Sequence, residues 1–407
     1  MRRPRDARRG KGEAMADVLA VILAAGESSR LKTDLPKPLH CVCGRALLEY
    51  ALDAALGAGS VEAVVLTPPD DRGVSALAGS RARCVPTRHL CEGIGEAMRG
   101  HTGNQFLFLP CDLPQLEACH LAALLEAHSA SDAPASTLHI AGTATGVFAA
   151  RREAAAALHP AADPHTLFPH ARPVALPGAP LIDVNTRADL ARAEKALRRE
   201  IIERLMEEGV TFLDPEHTYI HAGVRIGRDT VVYPGTILEG ATALGRRCVI
   251  GPYTHLVDTV VGDEAEIRAA TVRECRLGDR VRIGPFANLR PGCEVGEGAK
   301  VGTFVEMKNA RVGAHVSAAH LAYLGDADVG DGVNIGAGVI TCNYDGKRKH
   351  RTTIGPGAFV GSNSVLIAPV TVGAGAYVAA HSAINQDVPA DALGIARSRQ
   401  ENKEGWA

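Results

Sequence analysis

Seven polar residues in the second half of the chain could bind a phosphorylated sugar and move a proton. They are Arg290, Lys308, His320, Tyr323, Asn334, Asn343 and Tyr344. Cations of this kind hold phosphates, and the amides and phenols supply further hydrogen bonds. An imidazole can accept the proton that an amine must lose when it attacks a carbonyl carbon. One at a time, these residues also fit a surface histidine and solvated charges, but as a set they predict a phosphosugar site.

The elements that must position these residues follow a six-residue repeat. In the stretch Ile283 to Tyr344 the aliphatic positions are Ile283, Leu289, Val295, Val301 and Met307, and most are followed by a small residue. A period of six fits neither a helix nor an alternating strand. It predicts a β-solenoid, in which three hexads complete one coil. The aliphatic side chain then points into a narrow interior, and Gly permits a tight corner.

The repeat spans residues 220–384 and has three irregular stretches. Its phase slips near Val261 and slips again by one residue at Val312, and its spacing then widens around His320. The gap between Ile335 and Ile354 is too long for one hexad, so this segment must leave the coil as a loop. Loops on a rigid scaffold often carry function, which favours this segment as part of the site.

A second group of candidate residues lies near the amino terminus. Residues 17–26 form an apolar run that ends in small residues, which is typical of a buried parallel strand followed by a Gly-containing loop. Such a loop presents backbone N–H groups to a phosphate, and Arg30 and Lys37 would add positive charge. Another strand is predicted over residues 105–109. Asp112 at its carboxyl end could hold Mg²⁺ through its oxygens, or could merely cap the following turn.

Length and composition bound the architecture. A chain of 407 residues predicts two domains, or three, and its aromatic content of 4 % agrees with a solenoid interior of thin aliphatic layers. Residues 187–209 have apolar residues at three- and four-residue steps after a capping Thr186, which predicts an amphipathic connecting helix. We therefore predict an α/β domain at residues 17–186, this helix, and a solenoid domain at residues 210–407.

Charge and cysteine usage exclude several classes of protein. Residues 1–14 hold six basic and two acidic residues, so the net charge of −2 leaves −6 for the remainder, which argues against nucleic acid as a partner. We expect residues 1–16 to be a disordered basic extension rather than a secretory signal, with Met15 as a candidate start. No run of 18 apolar residues predicts a membrane span. The ten cysteines lack C-x-x-C pairs and zinc spacings, which favours reduced thiols in a cytoplasmic protein.

Seven segments of the carboxyl-terminal half resemble one known family. They are LRPG, VGTFVEMK, HLAYLGD, VNIGAG, TCNYDG, FVGS and the terminal KEGW, in this order. Residues 210–407 are similar to the acetyltransferase half of the bacterial bifunctional N-acetylglucosamine-1-phosphate uridylyltransferase/glucosamine-1-phosphate acetyltransferases. The resemblance implies a left-handed parallel β-helix of hexapeptide repeats, acetyl-CoA as co-substrate, a homotrimer, and active sites formed between subunits.

The same resemblance implies a role for each matching residue. His320 matches the general base that deprotonates the 2-amino group of the sugar. The positions that match contacts to glucosamine 1-phosphate are Arg290, Lys308, Tyr323, Asn334 and Lys349. The positions that match contacts to acetyl-CoA are Ala337, Asn343, Tyr344, Ser362, Ala380 and Arg397. Two residues depart from the family pattern: Asn309 stands where a second Lys is common, and Ala319 replaces the Gly before His320.

The amino-terminal half resembles the nucleotidyltransferases that join a sugar 1-phosphate to a nucleoside triphosphate. LAAG, Arg30 and the Leu35-Pro36-Lys37 segment carry the resemblance, which implies a Rossmann-like α/β domain and uridylyl transfer from UTP to N-acetylglucosamine 1-phosphate, a step in making cell-wall precursors. The matching nucleotide positions are Leu23, Ala24, Ala25, Gly26, Lys37, Gly93, Ile94 and Asp112. Residues 91–98 match a loop that contacts base and ribose, and Asp112 and Asn185 match the ligands of Mg²⁺.

This half also departs from its family. Ser28 and Ser29 stand where Gly and Thr are usual, Arg88 replaces a uracil-contacting Gln, and Ala144 replaces a sugar-binding Asn. Only 72 residues lie between Asp112 and Asn185, a few dozen fewer than is usual for the family.

Three interpretations stay open at this point. The chain is a bifunctional enzyme, or an acetyltransferase whose front domain binds nucleotide but is impaired or uses another sugar phosphate, or a non-catalytic trimeric scaffold. The full set of polar residues around His320 disfavours the scaffold, which would have no need of them.

Overall fold

A computed structural model describes residues 18–26, 29–60, 62–71, 73–158 and 166–406. The predicted basic extension and Ser28 lie outside the described residues. The chain consists of two compact units, and the boundary between them lies between Leu197 and Arg198. Within the described part, no helix is both long and apolar enough to cross a membrane.

Strands and helices alternate along the amino-terminal unit. Its strands are β1 (Val18–Leu23), β2 (Cys41–Val42), β3 (Arg45–Ala46), β4 (Glu62–Thr67), β5 (Arg83–Pro86), β6 (Gln105–Pro110), β7 (Ala135–Ile140), β8 (Thr143–Arg151) and β9 (Arg172–Leu176). Its helices are α1 (Leu47–Gly57), α2 (Val74–Ala78), α3 (Leu90–Met98), α4 (Ala118–Ser129) and α5 (Arg152–Ala156). The predicted α/β class is confirmed.

Seven strands of this unit form a mixed sheet in the order β5-β4-β1-β6-β8-β7-β9, and β2 and β3 form a separate antiparallel pair. β1 pairs in parallel with β4 on one side and with β6 on the other. Its side chains alternate between two buried clusters, with Ala20 and Ile22 on one face and Leu19 and Val21 on the other. Burial on both faces explains the continuous apolar run. The order of strands reverses beside β1, and ligands of open α/β sheets bind at such a reversal, beyond the carboxyl ends of the strands.

Helix α6 (Arg187–Glu207) is the predicted amphipathic helix, and the boundary between the two units falls within it. It begins with a reciprocal cap. The Thr186 hydroxyl donates to Asp189 Oδ2 at 2.8 Å, and the Asp189 N–H donates to Thr186 Oγ1 at 3.2 Å. The helix ends before Gly209, whose φ of 95° is left-handed.

The carboxyl-terminal unit is a left-handed parallel β-helix in which short strands lie in three stacks. The first stack of eleven strands comprises Thr211–Phe212, Val231–Val232, Val249–Ile250, Glu266–Ile267, Arg282–Ile283, Lys300–Thr303, Ser317–His320, Asn334–Ile335, Phe359–Val360, Tyr377–Val378 and Leu393–Gly394. The second stack of ten comprises Tyr219–Ile220, Ile237–Glu239, His255–Val257, Thr271–Arg273, Asn288–Leu289, Glu306–Lys308, Tyr323–Gly325, Ile340–Cys342, Val365–Ile367 and Ala383–Ile384. The third stack of nine comprises Arg225–Ile226, Ala243–Leu244, Val260–Val261, Arg276–Leu277, Glu294–Val295, Arg311–Val312, Ala327–Val329, Thr352–Ile354 and Val370–Val372.

The hexad repeat is confirmed, but one predicted irregularity is wrong. Ala318 and Leu324 are fully buried and fill interior positions on either side of His320. The six-residue step therefore continues through this stretch instead of widening. The sequence concealed it because Ala318 is too small to look like a core residue.

The predicted loop is present and is shorter than the gap in the repeat. Thr341 is fully buried and occupies an interior position of the strand Ile340–Cys342, and the coil resumes at Thr352–Ile354. The Thr341 hydroxyl is satisfied there, because it accepts from the Gly325 N–H at 2.8 Å and donates to the Gly325 carbonyl at 3.0 Å. Residues 343–351 are left to form the loop, which we call the site loop.

The glycines that follow interior residues have a different role from the predicted one at two of three positions. Gly284 does turn a corner with a φ of 97°, whereas Gly296 and Gly302 are not left-handed. A Cβ atom at Gly302 would lie 2.0 Å from the Ala319 carbonyl oxygen on the next coil, and one at Gly296 would lie 2.5 Å from the backbone of Gly313. These glycines are needed because neighbouring coils approach closely.

Candidate active sites

Three cations of the β-helix lie close together on its second stack and site loop. The Arg290 N–H donates to the Met307 carbonyl at 2.9 Å, which places Arg290 beside Lys308 on the next coil. The nearby ammonium of Lys349 is the main cause that lowers the pKa of Lys308, and the charge of Arg290 adds to this effect. Arg290 Nη1 lies 3.2 Å from Glu306 Oε1, but neither lysine forms an ion pair with any carboxylate of the described residues. The cluster is suited to bind an anion.

His320 ends the strand Ser317–His320, and its side chain is exposed. Within the described residues its imidazole makes no hydrogen bond and no ion pair. Tyr323 begins the following strand and lies in register with Glu306, on the stack that carries Lys308. The fold therefore brings His320 and Tyr323 to the coil next to the cation cluster, with an imidazole that is free to meet a ligand.

The residues that match the acetyl-CoA positions lie on four successive coils and the site loop. Arg397 Nη1 donates to the Ala380 carbonyl at 3.0 Å, which joins two of them. Asn343 is buried, and the neighbouring Tyr344 is 61 % exposed with its hydroxyl donating to Gly346 O. No hydrogen bond in the described part of the chain joins these residues, or Asn334, to His320.

Asp326 is a buried residue of this region to which the sequence assigned no role. Its carboxylate accepts from Asn309 Nδ2 at 2.6 Å and from Asn343 Nδ2 at 2.5 Å. Burial alone would raise its pKa, but the two amides, with Lys349 and Lys308, hold that pKa below its ordinary value. The unusual Asn309 is thus one of two amides that clamp one carboxylate. Both amides lie 17 residues from Asp326, which is one coil in each direction, so this spacing identifies them as partners only once the coil length is known.

A pocket of about 370 Å³ lies at the carboxyl ends of β1, β4 and β6. The predicted residues that line it are Leu23, Ala24, Ala25, Gly26, Lys37, Asp112 and Asn185, together with Arg30. Two predicted positions lie outside it. Ile94 is 1 % exposed in the core, and Gly93 lines a neighbouring depression. Residues 91–98 were expected to form a loop, but they belong to helix α3, so only its start reaches the pocket, through Leu90.

Lys37 lies between the two residues that match the ligands of Mg²⁺. Its ammonium forms an ion pair with Asp112 Oδ2 and donates to Asn185 Oδ1 at 2.8 Å, and Arg30 Nη2 donates to the same amide oxygen at 2.7 Å. Asp112 Oδ1 is buried and has no hydrogen-bond partner among the residues that the structure describes. A carboxylate and an amide oxygen that already surround a cation fit Mg²⁺, which takes few protein ligands and completes its shell with phosphate oxygens and water.

The fold and the two sites define a two-domain transferase, with an α/β nucleotidyltransferase domain followed by a hexapeptide-repeat β-helix. Residues 20–176 match the MobA-like NTP transferase domain, and residues 274–309 and 351–386 match the bacterial transferase hexapeptide family of six repeats. The solved structure of Rv0371c from Mycobacterium tuberculosis H37Rv is 23 % identical, covers 44 % of this chain and 98 % of that one, and has a TM-score of 0.40.

Relatives align over nearly the whole chain. The bifunctional protein GlmU of Carboxydothermus hydrogenoformans is 37 % identical over 442 residues, which cover 95 % of this chain and 99 % of that protein. The bifunctional protein GlmU of Alkaliphilus metalliredigens is 48 % identical over 226 residues, which cover 56 % of this chain and 50 % of that protein. The chain therefore belongs to the GlmU family of bifunctional uridylyltransferase/acetyltransferases, which use acetyl-CoA and Mg²⁺. The family expected from the sequence is confirmed.

Proposed function

We propose that the β-helix transfers the acetyl group of acetyl-CoA to the 2-amino group of glucosamine 1-phosphate, with His320 as the general base. The observation that carries this proposal is the cluster of Arg290, Lys308 and Lys349. The ammonium groups of Lys308 and Lys349 lie near each other and repel, which lowers the pKa of Lys308. A sugar phosphate would relieve that repulsion, because an anion stabilises both charged forms. The cluster therefore favours a phosphorylated substrate over a neutral sugar.

The free imidazole of His320 accounts for the chemical step. The amine nitrogen attacks the thioester carbonyl carbon while His320 accepts its proton, the carbon–sulfur bond breaks, and the thiolate of coenzyme A leaves with a proton. Arg290, Lys308 and Lys349 hold the phosphate, with Tyr323 and Asn334 as further contacts to the sugar. Asn343, Tyr344, Ala337, Ser362, Ala380 and Arg397 are proposed to contact acetyl-CoA. Asp326 positions Asn343 for this role through its hydrogen bond.

We propose that the protein is a homotrimer in the cytoplasm. One corner of the β-helix exposes a line of large apolar side chains, Tyr253, Phe286, Phe304 and Leu321, of which Phe286 and Phe304 stack at 5.4 Å. An exposed apolar patch of this kind favours coverage by a second copy of the chain. Leu321 directly follows His320, so a neighbouring subunit at this corner would help to complete the site. No two of the ten cysteines form a disulfide bond within the described residues, which agrees with a reducing compartment.

Oligomeric state and shared sites can be tested together. Sedimentation should give a trimer, and a mixture of His320→Ala and Arg397→Ala chains should recover activity if these residues serve one site from different subunits. Each variant alone should remain inactive in acetyl transfer. A fully active monomer would contradict the arrangement.

For the amino-terminal unit we propose nucleotidyl transfer to N-acetylglucosamine 1-phosphate, with UTP as the family donor. The backbone of residues 23–26 and the side chains of Arg30 and Lys37 would bind the triphosphate, and Asp112 and Asn185 would hold Mg²⁺. When bound, Mg²⁺ supplies positive charge that neutralises the phosphate oxygens during displacement. The sugar phosphate oxygen attacks the α-phosphorus, the bond to the β-phosphate breaks, and pyrophosphate leaves.

The two activities should differ in efficiency, and one preparation can show it. The purified chain is assayed for acetyl transfer to glucosamine 1-phosphate and for pyrophosphate release from UTP and N-acetylglucosamine 1-phosphate with Mg²⁺. We expect efficient acetyl transfer and slow pyrophosphate release, because the sugar side of the domain is shortened and Ala144 lacks an amide. Comparable kcat/KM values for both reactions would show that other residues have rebuilt the sugar pocket.

A further inference from the structure

Arg88 is a cation that lines the pocket at the carboxyl ends of β1, β4 and β6. It follows the end of β5, its side chain is exposed, and it lines the same pocket as Gly26, Lys37 and Asp112. Within the described residues its guanidinium donates no hydrogen bond and forms no ion pair. An arginine that lines a binding pocket and donates none of its five N–H groups to a described residue is available to bind a ligand.

The order of strands sets the distance of Arg88 from the phosphate end of the pocket. β5, β4, β1 and β6 are consecutive neighbours in the sheet. Asp112 follows β6, the Gly26 loop follows β1, and Arg88 follows β5 at the far side. Three strand spacings of about 4.8 Å place Arg88 roughly 14 Å from the line of β6. That is close to the length of an extended nucleoside triphosphate, so Arg88 lies where the base would be when the phosphates lie beside Lys37.

The chemistry of the guanidinium restricts which base it can recognise. Its paired N–H groups need two adjacent acceptors, which guanine offers at O6 and N7 and cytosine offers at O2 and N3. Uracil places an N–H between its two carbonyls, and adenine sets an amino group beside N1 and N7, so each opposes one donor of the pair. Leu66 and Leu90 line the same pocket and provide apolar surface for the ring.

From this we infer that Arg88 makes the amino-terminal unit prefer a nucleoside triphosphate whose base presents two adjacent acceptors, cytosine or guanine, over UTP and ATP. The inference rests on the proposed nucleotidyl transfer at this pocket and changes only the nucleoside triphosphate that donates the nucleotidyl group. The bonds made and broken at the α-phosphorus, and the release of pyrophosphate, stay the same.

Direct binding tests the inference without depending on turnover. Calorimetric titration of the full chain with CTP, GTP, UTP and ATP, each with Mg²⁺ and without sugar phosphate, should give a Kd for CTP or GTP that is roughly ten- to a hundredfold below that for UTP. Comparing the Kd values for CTP and GTP shows whether Arg88 binds the acceptor pair of cytosine or that of guanine. Arg88→Gln should reverse the order in favour of UTP, because an amide offers one donor and one acceptor. Arg172→Gln, on the edge strand β9 at the other side of the sheet, is the matched control and should change nothing.

The outcomes separate this inference from the proposed reaction. If UTP binds most tightly to the unaltered chain, or if Arg88→Gln leaves the order of Kd values unchanged, the inference is overturned while nucleotidyl transfer stands. If all four nucleotides bind equally well, Arg88 does not read the base, with the same consequence. If none binds although tripolyphosphate with Mg²⁺ does, the pocket holds phosphate only, and both the inference and the proposed reaction fail.

Discussion

The lysines of the two candidate sites differ in whether they are paired with a carboxylate. In the β-helix, Lys308 and Lys349 lie close together without an ion pair to a described carboxylate, so the site carries net positive charge. In the amino-terminal pocket, Lys37 is neutralised by Asp112 and also bound by Asn185. The first arrangement is ready to accept a phosphate directly. In the second, a Mg²⁺ ion held by Asp112 and Asn185 would compete with Lys37 for these side chains, and a bound triphosphate would offer the Lys37 ammonium new partners.

This difference indicates where each site can tolerate change. In the β-helix, the register of successive coils fixes which residues are neighbours. A substitution at one position therefore alters the contacts of a residue one coil away, as Asn309 contacts Asp326. The amino-terminal pocket is assembled from the ends of several strands. Its phosphate end depends on the backbone after β1, whereas its base end depends on single side chains such as Arg88. Selectivity can therefore change in the second site while its phosphate chemistry is retained.

The variant with the largest expected effect should lose one activity and keep the other. Replacing His320 by alanine should lower kcat for acetyl transfer by about 10²–10⁴-fold, the usual range for loss of a general base, with little change in KM. Nucleotidyl transfer by the same preparation should be unaffected. The control is His315→Ala, which removes another exposed imidazole from the same coil. If His320→Ala retained most of its acetyltransferase activity, another group would have to be the base.

The converse variant is Asp112→Asn. It removes the carboxylate proposed to hold Mg²⁺ and leaves Lys37 with amide partners only. Nucleotidyl transfer should fall by at least the ~10–100-fold that follows loss of outer-shell metal partners, and added Mg²⁺ should restore part of it. Acetyl transfer should not change. Asp132→Asn, in an exposed turn of the same unit, is the control, and equal losses in both variants would argue against a metal role for Asp112.

A smaller effect is expected from Asp326→Asn, which tests the clamp on Asn343. A hydrogen bond to a charged group contributes about 1.5–3 kcal/mol, so kcat/KM for acetyl-CoA should fall by roughly 10- to 100-fold, mainly through KM. Asn309→Ala removes the other amide, leaves the bond to Asn343, and should have the weaker effect. Asp263→Asn, which replaces a carboxylate that accepts from the Arg246 N–H on an earlier coil, is the control. A loss confined to kcat would indicate that Asp326 acts on the chemical step instead.

The sequence predicted what depends on local periodicity and missed what depends on register between coils. The hexads, the strand before the Gly26 loop and the capped helix α6 were all predictable, because each pattern reflects burial within one element. The clamp at Asp326 was not, since its partners become neighbours only when the local coil length of 17 residues is known.

Two other features escaped because they depend on the tertiary fold. Residues 91–98 form helix α3, although Gly93 and Gly95 weaken its helical propensity, because Ile94 and Met98 are buried against the sheet. The ion pair of Lys37 with Asp112 joins residues 75 positions apart, and no local sequence pattern predicts it.

The smallest expected effect concerns acid stability and again distinguishes the two units. Among the described residues, the histidines with a lowered pKa are His40 and His128, both in the amino-terminal unit. Burial is the main cause at His128, followed by the charges of Arg151 and Arg172. Its Nδ1 lies 2.9 Å from Ser136 Oγ, and its buried Nε2 has no hydrogen-bond partner among the described residues. Burial and the two arginines therefore disfavour a protonated imidazole at this position.

The sign of the pH dependence follows from that environment. Above the ordinary histidine pKa of 6.5 the imidazole is neutral in both the folded and the unfolded state, so the stability of the unit is fully present. As the pH falls below 6.5, the unfolded chain binds a proton that the folded one cannot, and stability is lost until the pH has fallen through the folded pKa. The urea midpoint of the amino-terminal unit should drop between pH 7 and 5, and His128→Gln should flatten that slope. His139→Gln, a half-buried histidine on β7, should keep it. Equal slopes in all three proteins would mean that His128 does not titrate differently on folding.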